Sequence, residues 1–107
     1  MLNTLEKVKS LEQYLTISNT LVDPVIDHTI NKLLTREYQR ISEMQNRLLT
    51  DVNQFETHYA MPSTHFQTQY DNGLLGDDMD FIEWSATLDM LSQIEKQLKW
   101  LNIAVEQ

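Results

Sequence analysis

Apolar positions recur along most of this chain at steps of three and four. Leu5, Val8, Leu11 and Leu15 mark one face of a first α-helix. A longer line follows: Ile26, Ile30, Leu34, Tyr38, Ile41, Met44, Leu48, Val52, Phe55 and Tyr59. Its nine steps cover 33 residues, a period of 3.67. That spacing fits a nearly straight helix and not a left-handed heptad seam. Phe66 and Tyr70 stand one turn apart in a short third helix. Phe81, Trp84, Leu88, Leu91, Ile94, Leu98, Leu101 and Val105 form the inner line of a fourth. No run alternates with the two-residue period of a strand.

Capping signals separate these helices. Asn3 followed by Glu6 forms a capping box ahead of the first. Ser18-Asn19-Thr20 ends it, because short polar side chains compete for backbone hydrogen bonds. Asp23-Pro24 opens the second, with Asp as the cap and Pro where no N–H is needed. Met61-Pro62 stops it, since the residue before Pro leaves the helical region. Ser63 is a candidate cap for the third helix, and Asn72-Gly73 closes it. The fourth starts at Gly76-Asp77-Asp78. The expected organisation is one all-α domain, 1–107. It comprises an N-terminal helix and turn (1–22), a very long helix (23–61), a short corner helix and turn (62–76) and a long C-terminal helix (77–107). The two long helices are expected to pack as an antiparallel hairpin. A second helix about 55 Å long outruns what the fourth can cover. It leaves Ile26, Ile30 and Leu34 short of partners, which predicts a homodimer.

Composition adds one strong asymmetry. The chain has 107 residues, 8 Lys+Arg, 16 Asp+Glu, no Cys, 2 Gly and 2 Pro. The formal charge is −8, and it is not evenly spread. Residues 1–47 balance six bases with six acids, while residues 48–95 hold nine acids and no base. Such a block suggests an oppositely charged partner. Without Cys, disulfide scaffolds and cysteine–zinc sites are excluded. No apolar run reaches the ~18 residues of a membrane span, and the N-terminus lacks a signal-peptide core. A cytoplasmic protein is therefore expected, with no membrane partner.

Two patches carry candidate chemistry. Lys32, Arg36, Arg40 and Arg47 fall within about 80° of arc on the second helix. The stripe reads as a solvated face with pairs such as Glu43–Arg47, or as a contact for DNA phosphates or for a second copy of the chain. The other patch is the turn Asp77, Asp78, Asp80, Phe81, Glu83 and Trp84, with Tyr70 nearby. One or two acids suffice to cap a helix and meet its dipole. The surplus beside aromatics reads as a partner-binding surface. A hard cation on Asp71, Asp77, Asp78 and Asp80 is a weaker reading, because the calcium-loop spacing is absent. No metal or cofactor is expected. His28, His58 and His65 show no zinc-binding spacing. No nucleophile elbow or phosphate loop occurs either, so no catalytic residue is assigned.

The string Phe55-x3-Tyr59-x-Met61, Ser63-x2-Phe66, Gly73-x2-Gly76-Asp77-Asp78-x-Asp80-Phe81-x-Glu83-Trp84 resembles small bacterial and archaeal antitoxin-like proteins. They are typical of cyanobacterial genomes and similar to the antitoxins called TumA. The resemblance is specific over residues 55–84. It implies a non-catalytic intracellular protein that binds and neutralises a cognate toxin, often a ribonuclease encoded beside it. This chain departs from the pattern at Ala60, where Gly is common, and at Thr64, His65, Gln67 and Gln69, where acids are common. The alternatives are a DNA-binding regulator of its own operon and a structural coiled-coil subunit.

Overall fold

A computed structural model describes residues 1–18 and 23–106. It contains four helices: α1 (Thr4–Ser18), α2 (Pro24–Tyr59), α3 (Ser63–Asp71) and α4 (Met79–Glu106). The chain divides into two compact units, Met1–Leu33 and Leu34–Gln107. The Asn19-Thr20 part of the expected stop after the first helix lies outside the described residues.

In the first unit the caps act as the sequence predicts. The Glu6 N–H donates to Asn3 Oδ1 at 2.8 Å, and the Asn3 N–H donates back to Glu6 Oε1 at 3.2 Å. Asp23 Oδ1 accepts the Val25 N–H at 2.8 Å at the start of α2. The unit has little interior: among its described residues none is buried.

The second unit is an antiparallel hairpin in which the remainder of α2 packs against α4. Ile41 and Val52 from α2 and Ile94 from α4 are buried, as the two apolar lines require. The tightest packing lies where α3 turns the corner. The Phe66 and Trp84 rings stack at 3.9 Å between centroids, 3° from parallel, and neither side chain is exposed. Phe55 stacks on Trp84 at 5.6 Å, and Tyr70 on Phe66 at 5.4 Å. Phe81 closes the cluster against Tyr59 at 5.1 Å. A domain of this size has a modest core, and rings supply much area per residue.

Two helix ends use the same stop. The Leu74 N–H donates to the Gln69 carbonyl and the Gly73 N–H to the Tyr70 carbonyl, each at 3.0 Å. These bonds form a Schellman cap on α3 with Gly73 left-handed at φ 73°. At the end of α2 the Met61 N–H reaches the Glu56 carbonyl at 3.1 Å, and the left-handed position is Ala60 at φ 50°. Position 60 therefore carries a Cβ where one is costly.

One boundary expectation is corrected. Ser63 does not cap α3; Pro62 stands at the cap without a side-chain bond. Ser63 instead accepts a hydrogen bond from Trp84, and its N–H donates to Glu56 Oε2 at 2.7 Å. The fourth helix begins at Met79, and Asp78 caps it: Asp78 Oδ1 accepts the Asp80 N–H at 2.9 Å.

Candidate functional site

The acidic turn and the start of α4 are brought together, but their residues divide into two groups. Trp84 is 0% exposed and Phe81 is half-buried. The expected anchor Trp84 is thus enclosed in the corner, because Phe66, Phe55 and Tyr59 surround its ring. Tyr70 is half-buried against Phe66. Asp80 is also engaged inward: its Oδ2 accepts the Tyr59 hydroxyl at 2.5 Å. That hydrogen bond, then desolvation, then the charges of Asp80 and Asp78 push the Tyr59 phenol up to about 12. Asp78 is the cap. Asp77 and Glu83 are exposed.

The side chains presented outward are different ones. Met79 is 75% exposed, Ile82 42% and Met90 49%. With the exposed Ala86 they fall within about 80° of arc and form an apolar ridge on the outer face of α4. The same arithmetic sets Glu83 along one border of the ridge and Asp89 along the other.

A groove opens on each side. One, of about 440 Å³, runs between α3 and α4 past Ser63, Gln67, Asp71, Ser85 and Asp89. Gln67 spans it, donating to Asp71 Oδ1 at 2.8 Å and to Ser85 Oγ at 3.4 Å. The other, of about 280 Å³, runs between α2 and α4 past Asp51, Gln54, Phe55, Glu83 and Thr87. Each groove therefore carries two carboxylates, and residues 48–95 contain no cation to neutralise them.

Sequence reasoning missed the ridge because its positions lie opposite the inner line and are interleaved with polar residues. The signal was present as the steps 79, 82, 86 and 90. Among the described residues no cluster of three or more His, Cys, Asp or Glu could hold a metal ion.

The basic stripe falls on both units. Lys32 is exposed in the first. Arg36, Arg40 and Arg47 are exposed in the second. Arg40 Nη2 pairs with Glu37 Oε2 at 2.8 Å, and Arg36 approaches the same carboxylate at 4.0 Å. The hydrogen bond from Arg40 holds the Glu37 carboxyl below the usual range. The expected pair Glu43–Arg47 is not among the ion pairs of the described residues. Among the described residues Arg40 has an ion-pair partner and Arg47 has none.

No protein-family model, curated protein or solved structure matches the chain.

Proposed function

We propose that this chain is a non-catalytic binding protein whose α4 outer face covers a basic protein partner. The observation that carries this reading is the Met79–Ile82–Ala86–Met90 ridge standing between two acid-lined grooves. A ridge of flexible apolar side chains with a charged rim has the anatomy of a helix that seats in a partner's groove. Methionines suit such a surface because they adapt to irregular contours. The bordering carboxylates would receive Lys or Arg from the partner and speed its approach.

The resemblance over residues 55–84 gives the partner a class: a cognate toxin, acting in the cytoplasm and neutralised by this chain. A ribonuclease toxin would present the required basic surface, since it must approach RNA phosphates. Among the described residues no helix is long and apolar enough to cross a membrane, which agrees with a partner reached in water.

Co-expression with the product of the adjacent reading frame tests the proposal. The expected result is a co-purifying complex and restored growth. Absence of both, with each protein folded and present, overturns it.

A further inference from the structure

We propose that the first unit, Met1–Leu33, is a dimerisation element whose apolar face is covered by the same face of a second copy. The starting point is that none of the unit's described residues is buried, although it contains helices. Helix α1 contains no buried residue, yet Leu5 is 61% exposed, Val8 54% and Leu11 37%. A helix of 15 residues is marginal in water unless an apolar face is packed. Val8, Leu11, Leu15 and Ile30 instead line an open groove of about 490 Å³. Among the described residues of the unit no side chain closes it.

Charge selects the occupant. Residues 1–33 hold three bases and four acids, a net −1, whereas residues 34–107 hold five and twelve, a net −7. A basic protein is drawn to the second unit and not to this one. An anionic membrane surface needs a polar face rich in Lys and Arg, and α1 mixes Lys7 and Lys9 with Glu6 and Glu12. A second copy meets neither obstacle. Joined through their first units, two chains set nearly neutral surfaces together.

The pattern also suits self-recognition. The groove needs aliphatic side chains at helical spacing, and α1 carries them at 5, 8, 11 and 15. In an isologous pair each copy supplies both the groove and the filling, so a single pattern satisfies both sides. Two copies of α1 and of the start of α2 make the four-helix layer that short helices need for a common core. This role is independent of the α4 ridge: one end of the chain would join copies, and the other would bind the basic partner.

Light scattering on the full chain at tens of micromolar tests the inference, together with two variants. The wild type and Ile82→Glu, altered only on the α4 ridge, are expected at twice the single-chain mass of 12.6 kDa. Val8→Glu with Leu15→Glu is expected at 12.6 kDa, with the near-ultraviolet signal of buried Trp84 retained as proof that the hairpin is folded. Because the chain has no Cys, Ser10→Cys gives a single spin-label position on α1. Measurable dipolar coupling between labels would place two α1 helices together. A monomeric wild type, a dimer indifferent to the α1 changes or one lost in Ile82→Glu, or labels with no coupling in a dimer would each overturn the proposal.

Discussion

The Trp84 indole N–H donates to the Ser63 hydroxyl at 3.0 Å, linking residues 21 positions apart and joining α4 to the first residue of α3. The bond lets a ring with no exposed surface keep its one polar atom satisfied. Among the described residues no buried side-chain nitrogen or oxygen lacks a partner. Ser63→Ala leaves the indole donor unpaired and should lower unfolding free energy by about 1–3 kcal/mol. Trp84→Ala removes the ring from its stack as well, and the expected loss is about 3–5 kcal/mol. Urea unfolding followed by circular dichroism measures both.

The left-handed residues that end α2 and α3 provide a paired test of backbone strain. Ala60 carries a Cβ in the left-handed region; Gly73 carries none. A Cβ added at Gly73 would meet no heavy atom within 4 Å, so only its backbone preference is at issue. Ala60→Gly should stabilise by about 1 kcal/mol, and Gly73→Ala should destabilise by a similar amount. Opposite shifts in melting temperature would confirm the pairing. Equal signs would contradict it.

At the start of α4 the two neighbouring aspartates differ in role. Asp78 caps through the Asp80 N–H. Asp77 is exposed. Asp78→Ala should cost about 1 kcal/mol, while Asp77→Ala should stay within about 0.5 kcal/mol of the wild type.

The Tyr59–Asp80 bond makes stability depend on alkaline pH. The phenol is held protonated up to about 12 in the folded chain, against 10.0 as its ordinary value. A raised folded value favours folding fully below the ordinary one. The advantage is lost as pH rises from about 10 through about 12. The urea midpoint of the wild type should therefore fall more steeply across that window than that of Tyr59→Phe. Parallel curves would show that the phenol does not contribute.

Much of the helical pattern was legible because its causes are local. The apolar lines of α2 and α4, the Asn3–Glu6 box, the Asp23-Pro24 start and the Gly73 stop each depend on residues within one or two turns. Ser63 was misread because its local pattern fits a cap, while the partner that claims its hydroxyl lies far along the chain. Trp84 sat on the inner line of α4 and beside the acidic turn, and only packing against Phe66 decides between core and contact surface. Ala60 hid a left-handed residue because only Gly or Asn advertises that conformation. The ridge on α4 was unseen for a related reason. Periodicity marks the face that meets the core, and Met79, Ile82 and Met90 lie away from it.

Calorimetric titration of the purified chain with the product of the adjacent reading frame tests the binding surface most directly. Wild type and Ile82→Lys would be compared at about 50 mM and about 300 mM salt. The expected result is a complex that weakens with salt and loses at least about tenfold in affinity on Ile82→Lys, while Trp84 stays buried and the hairpin folded. No binding by the wild type, or binding indifferent to both the substitution and the salt, would contradict the α4 ridge as the surface that meets a basic partner.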